Sequence, residues 1–299
     1  MQNNSKFKIP EEAFDWYDAY AHGMMDRREF MDRLATLAVG GVTMAMLTGA
    51  LMPDYAQAEQ VSFNDEAIKA TYATFPSPDG YGEGRGYLVQ PSSLTEGQKA
   101  PAVLVVHENR GLNPYVKDVA RRLAKAGYLA FAPDALYTLG GYPGNDDEGR
   151  AMQSSLDRSK IEADFIAAAR FLKSHALSSG KLGVVGFCFG GYISNFLAAS
   201  LPNDVNAAVP YYGTPPRNDI VGNVKGPLMG HLAGLDERVN SSWAPYEEVL
   251  KANGVKYEKY VYEGVNHGFH NDSTGRYDEK AANLSWDRTL KFFADNLKS

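Results

Sequence analysis

From Val61 onward the chain alternates short, continuous apolar runs with stretches of helical periodicity, and this alternation constrains the fold more than any other feature. Ala102–Val106, Tyr128–Ala132, Leu182–Gly186 and Ala207–Tyr211 are apolar without a polar alternate, and Leu228–Ala233 is interrupted only by His231. Such runs belong to strands buried on both faces. Between them, Tyr115–Lys125, Leu156–His175, Gly191–Ser200, Trp243–Ala252 and Glu279–Leu297 carry apolar residues at helical spacing. Tyr257–Tyr262 reads as a further strand, and Ile68–Thr74 and Gly84–Val89 read as strands around the turn-rich Pro76–Gly80. Repeated βα units of this kind give a mostly parallel sheet with helices on both faces, an α/β fold. The unit spans residues 59–299, long enough to bury a single large core.

Residues 1–58 follow another pattern. Arg27-Arg28-Glu29-Phe30-Met31 precedes a run from Leu34 to Pro53 with no charged residue, and Ala56-Gln57-Ala58 follows it. A basic pair, an apolar stretch and a small-x-small site form an export signal, and the adjacent arginines resemble the twin-arginine (Tat) type. The expectation is periplasmic export with cleavage before Glu59 and no membrane span in the mature form. The alternative is a cytoplasmic protein whose segment 1–58 is retained as helices packed on the body or on another copy in a homo-oligomer.

Acids outnumber bases, 36 to 30, and the net charge of −6 excludes a general nucleic-acid binder. The single cysteine, Cys188, excludes an internal disulfide and a multi-cysteine metal centre. Its setting is informative. Gly186-Phe-Cys188-Phe-Gly190-Gly191 follows an apolar strand and opens a helix. In a G-x-nucleophile-x-G elbow the glycines permit a sharp strand-to-helix turn that holds the central side chain exposed. A helix N-terminus beneath a thiol favours its thiolate.

A thiol nucleophile needs a base, and the base an orienting acid. In this fold the chain order is nucleophile, acid, histidine. His267, in Gly264-Val-Asn-His-Gly-Phe269, follows the strand ending at Tyr262, and Asp236, in Gly234-Leu-Asp236-Glu237, follows Leu228–Ala233. Both stand at strand C-terminal ends, where such sheets carry their functional groups. The other histidines fit less well: His22 lies in the leader, His107 and His231 lie in or at the end of strands, and His175 ends a helix. His267-x-x-His270 has metal-ligand spacing but no supporting ligand set.

The segment from about Ile68 to Leu297 resembles the dienelactone hydrolase family of α/β-hydrolases. The resemblance rests on His107-Glu108-Asn109-Arg110-Gly111, the cysteine elbow, Gly234-Leu-Asp236 and Asn266-His267-Gly-Phe269. It implies a Cys188–His267–Asp236 triad, with Glu108 beside the thiol taking part in thiolate formation. It also implies an oxyanion hole from the backbone N–H groups of Phe189 and Asn109. Family members that act on dienelactone carry an arginine four residues after the histidine; here that position is Asn271. Arg110, Tyr137, Asn271 and Arg276 are the candidate substrate contacts. The implied activity is hydrolysis of a small-molecule ester or lactone with no cofactor and no metal. The alternatives are a broad carboxylesterase or thioesterase, or a non-catalytic relative that binds a ligand.

Overall fold

In the computed structural model, which describes residues 9–39, 42–51, 53–95 and 97–298, eight strands form one sheet. They are β1 (Ile68–Ser77), β2 (Gly82–Pro91), β3 (Ala100–Val106), β4 (Leu129–Pro133), β5 (Ser178–Phe187), β6 (Val205–Tyr211), β7 (Leu228–Ala233) and β8 (Tyr257–Tyr262). The spatial order is β1-β2-β4-β3-β5-β6-β7-β8. β1 and β2 form an antiparallel hairpin, and β2 joins β4 antiparallel. From β4 to β8 all neighbours are parallel. The sheet is therefore the expected mostly parallel one, with a hairpin added at one edge.

The helices are α1 (Glu11–Ala21), α2 (Arg27–Ala35), α3 (Met44–Leu51), α4 (Tyr55–Ala58), α5 (Pro114–Lys125), α6 (Asp146–Ser155), α7 (Arg158–Ser174), α8 (Phe189–Ser200), α9 (Asn218–Val221), α10 (Glu237–Ala252) and α11 (Glu279–Leu297). One face of the sheet packs on α5 and α11, through Val116, Val119, Leu123, Phe292 and Phe293. The other packs on α7, α8 and α10, through Phe165, Leu172, Ile193, Leu197 and Trp243. Burial on both faces explains the continuous apolar runs within β3, β5 and β6 and the largely apolar β7. β8, at the sheet edge, keeps exposed positions at Glu258, Lys259 and Val261.

Two boundaries differ from expectation. The helix expected over Leu156–His175 begins at Arg158, because Asp157 caps it by accepting from the N–H groups of Ser159 and Lys160. Ahead of it lies α6, which has no apolar stripe. Polar contacts fix it instead: Asp146 pairs with Arg110 at 2.7 Å, and the Gln153 side chain accepts from the Gly111 N–H at 3.1 Å.

The N-terminal segment is helical and packed. Ala13, Tyr17, Tyr20, Met25, Phe30, Leu34, Leu47 and Leu51 bury one another in a third apolar cluster. Asp26 caps α2 by accepting from the Glu29 N–H, so Arg27 and Arg28 occupy its exposed first turn. Among the described residues no helix is long and apolar enough to cross a membrane.

The chain order sets the position of the site. It runs outward from β3 to β4, then crosses back to β5 on the other side of β3. The C-terminal ends of β3 and β5 therefore flank a point where connections diverge, leaving a crevice. Glu108 follows β3 by two residues and Cys188 follows β5 directly.

Candidate active site

The elbow between β5 and α8 is as tight as its glycines imply. Cys188 has φ 55° and ψ −111°, a conformation that an L-residue holds only where the surroundings enforce it. A Cβ on Gly186 would lie 2.0 Å from the Gly190 carbonyl oxygen. One on Gly190 would lie 2.2 Å from that of Val106, and one on Gly191 2.5 Å from that of Tyr211. Only glycine lets α8 approach β3 and β6 this closely. The Cys188 N–H is held by the Tyr211 carbonyl at 3.0 Å, and the Cys188 carbonyl accepts from the N–H groups of Gly191 and Tyr192. The thiol is thus fixed at the N-terminus of α8 and is 9% exposed.

His267 and Asp236 come to it from β8 and β7. The His267 Nδ1–H donates to Asp236 Oδ2 at 2.5 Å, which fixes the tautomer, since a carboxylate can only accept. Asp236 also caps α10, accepting at Oδ1 from the Val239 N–H at 3.1 Å. Burial would raise the Asp236 carboxyl, but His267, the cap and Arg238 outweigh it and hold it below its ordinary value. Burial would likewise push the Cys188 thiol up. The charge and hydrogen bonding of His267 and of His22 overcome that, and hold it well below the ordinary thiol range.

Glu108 is buried beside this group. Desolvation, and then the negative charge at Cys188, raise its carboxyl, while Arg110, Arg276 and His267 act in the opposite direction. Its Oε2 accepts from Asn271 Nδ2 at 3.0 Å. Asn271 is itself oriented by Ser273, whose N–H and hydroxyl both donate to Asn271 Oδ1. The residue at the position of the family arginine is therefore buried and engaged with Glu108.

The other expected substrate contacts divide. Arg110 is buried against Asp146 and lies over the Tyr17 ring. Arg276 also lies over Tyr17 and borders a cavity with Asp236 and His267. Tyr137 stands elsewhere: its hydroxyl donates to Glu83, and it lines a cavity with Phe75, Asp134 and Asp164 that contains none of the triad. His270 turns inward, its Nδ1 2.7 Å from the Tyr115 hydroxyl, so the His267/His270 spacing does not bring two imidazoles to one centre.

A cavity of about 220 Å³ opens in front of Cys188, bordered by Asn109, Phe189, Tyr192, Tyr212 and Arg238, and closed on one side by His22. His22 and Arg238 are the residues that sequence reasoning missed. Arg238 lies two residues after Asp236, on the first turn of α10, and that proximity was an available signal. Nothing in the sequence pattern tied His22 to a site that forms 166 residues later in the chain.

A model of the dienelactone hydrolase family matches residues 85–297. The chain belongs to the dienelactone hydrolase family. A second family model, described as YqhI-like, matches residues 1–40. A protein of Escherichia coli K12 provisionally named hydrolase fragment YghX is 60% identical over 116 residues, which cover 39% of this chain and 97% of that one. A protein of Aquifex aeolicus provisionally named a carboxymethylenebutenolidase is 35% identical over 224 residues, covering 72% of this chain and 94% of that one. Among solved structures, a crystal structure from Klebsiella pneumoniae, provisionally described as a dienelactone hydrolase, superposes with a TM-score of 0.68 at 28% identity. That match covers 76% of this chain and 99% of the other. The protein is thus a dienelactone hydrolase-like carboxylic ester hydrolase with the α/β-hydrolase fold.

Proposed function

We propose that this family member is a thiol-dependent hydrolase that cleaves an ester or lactone through an acyl-enzyme on Cys188. The observation that carries the reading is the convergence of a cysteine in a strained elbow with a histidine fixed by a buried aspartate. The Cys188 proton passes to His267, whose positive charge is balanced by Asp236. The thiolate attacks the carbonyl carbon, and the oxyanion is met by the N–H groups of Phe189 and Asn109. Phe189 is the first residue of α8, where an N–H has no intrahelical acceptor and points toward the elbow. His267 then protonates the leaving alkoxide, and the C–O bond breaks. In the second half His267 takes a proton from water, which attacks the thioester and releases the acid. Glu108, buried and raised, is suited to exchange a proton near the thiol as substrate enters.

The substrate contacts differ from those of family members acting on dienelactone. Asn271 is neutral and engaged with Glu108, so the cation that would hold a substrate carboxylate at that position is missing. The cavity pairs an aromatic wall of Phe189, Tyr192 and Tyr212 with the guanidinium groups of Arg158 and Arg238. The test is a panel of lactones and aryl esters assayed with wild type, Cys188→Ala and Cys188→Ser. Loss of turnover in the alanine variant, with little activity in the serine variant, supports the reading. Wild-type turnover in Cys188→Ala overturns it. The panel also separates a lactone-selective enzyme from a broad esterase or thioesterase.

A further inference from the structure

The cavity of about 220 Å³ in front of Cys188 does not stand alone. It shares His22, Asn109, Arg158 and Phe189 with a second cavity, of about 330 Å³, that runs along α6 and the start of α7. Arg150, Gln153, Leu156 and Ile161 border this second space. His267 borders neither of the two. It lines a third cavity, of about 130 Å³, together with Asp15, Asp236 and Glu237. In the hydrolysis proposed above, the leaving oxygen must stand where His267 can protonate it. The acyl chain therefore extends the other way, into the paired cavities.

Charge divides these spaces. The cavity beside His267 is lined by three acids, whereas among the described residues no carboxylate lines either of the paired cavities. Arg158 lines both, Arg150 one and Arg238 the other. Arg238 is engaged with His22 at 3.1 Å. Arg158 lies over the Tyr192 ring at 4.1 Å and the Phe189 ring at 5.6 Å. Its Nε reaches Glu162 at 3.4 Å, but Glu162 also accepts from the Tyr192 hydroxyl at 2.6 Å, so Arg158 shares that acid. Stacking on an aromatic face leaves the in-plane donors of a guanidinium suited to a carboxylate. Arg150 is held in the same manner over the Tyr20 ring at 4.3 Å, and its Nε is buried with no hydrogen-bond partner among the described residues. The polar helix α6, fixed by Asp146 and Gln153, is the element that places it there.

We propose that the acyl subsite takes a chain ending in a free carboxylate, held by Arg158 where the two cavities meet and drawn further by Arg150, so that the substrate is a half-ester of a dicarboxylic acid. This rests on the thiol mechanism above and names its substrate class. The anion sits on the acyl side, far in the chain from Asn271, on residues of α6 and α7. The distal carboxylate takes no part in bond making. Cys188 forms a thioester with the esterified carboxyl carbon, the alcohol leaves with a proton from His267, and one water releases the dicarboxylate. Arg158 is thus a specificity-determining residue, and the rim position that leaves its side chain 58% exposed lets a charged chain end reach it from water.

The test uses the full-length chain and two aryl half-esters, of adipic and of suberic acid, each paired with the neutral diester in which the distal carboxylate is methylated. Phenol release gives kcat/KM for both members of a pair, and the readout is the ratio of the charged to the neutral ester. For at least one chain length, wild type should favour the charged ester by about tenfold at low salt. Arg158→Gln should lower that ratio by about three- to tenfold, mainly through KM, the range for a charged hydrogen-bonded pair open to water. Arg158→Lys, which keeps the charge without the fork, should recover part of the loss. Added salt should lower the wild-type ratio more than that of Arg158→Gln. A wild-type ratio at or below one for both chain lengths overturns the proposal with no variant needed, and so does a ratio that Arg158→Gln leaves unmoved. Cys188→Ala, run alongside, separates the two readings. If it is inactive on every ester while the wild-type ratios stay at or below one, only the carboxylate subsite falls. If it turns over the neutral esters as wild type does, the thiol mechanism itself falls.

Discussion

Asp236→Asn exchanges one oxygen for an NH2 group and separates the two roles of this side chain. Oδ1 caps α10, and asparagine caps a helix as well as aspartate, so the fold should tolerate the change. Oδ2 accepts from His267 Nδ1 at 2.5 Å, and there the new NH2 presents a donor to a donor. The imidazole relieves the conflict by moving its proton to Nε2. That leaves a hydrogen, and not a lone pair, toward the thiol, and the base can no longer accept the Cys188 proton. The charge that balanced the imidazolium is lost at the same time. A wrong tautomer at such a triad costs about 10²–10⁴ in kcat, or about 3–5 kcal/mol of transition-state stabilisation. Asp236→Ala loses the cap as well, which costs about 1 kcal/mol and a few degrees of melting temperature. The assay is kcat/KM on an aryl ester paired with a thermal melt for both variants. Asp236→Asn should melt within about 2 °C of wild type yet turn over at least a hundredfold more slowly. Activity within about threefold of wild type would refute the orienting role.

Two further substitutions probe the elbow and the buried carboxylate. Gly190→Ala places a Cβ 2.2 Å from the Val106 carbonyl oxygen, so α8 must move off β3. We expect a loss of about 1–3 kcal/mol in stability, with turnover falling further than stability because the elbow carries the nucleophile; denaturant melts and initial rates check both. Glu108 is held above its ordinary carboxyl value, so its folded-state pKa exceeds its unfolded one. Its contribution to stability is full below the unfolded value and is lost as pH rises through the folded one. Glu108→Gln, which keeps an acceptor for Asn271, should therefore melt higher than wild type at pH 7, with the gap closing at pH 4, while its turnover falls. An unchanged or lower melting temperature at pH 7 contradicts the assignment.

The sheet was legible because burial on both faces leaves continuous apolar runs within β3, β5 and β6, and because Gly186, Gly190 and Gly191 permit a tight strand-to-helix turn. The pairing of His267 with Asp236 at the strand ends was legible from strand-end positions and chain order. α6 was not legible, since Asp146 and Gln153 hold it through partners 36 and 42 residues away, which leave no periodic trace. The packing of the N-terminal segment was not legible for a related reason. Tyr17 and Tyr20 read as stray aromatics among acids until Arg110, Arg276 and Arg150 are placed against them. The uncharged run through α3 reads as an export signal in the sequence; in the fold Leu47 and Leu51 pack in one cluster with Phe30 and Leu34. Nothing in the sequence marks the histidine at the tip of this segment as one that the fold brings within 3.3 Å of Cys188.

The central claim, a covalent intermediate on Cys188, is most directly tested by intact-protein mass spectrometry of enzyme quenched in acid within the first turnovers of an activated aryl ester. The thiol mechanism predicts a species heavier by one acyl group, mapped by peptide digestion to the elbow peptide containing Cys188 and absent from Cys188→Ala. Rapid turnover of the ester with unmodified protein throughout, or an acyl group mapped to another residue, would contradict it.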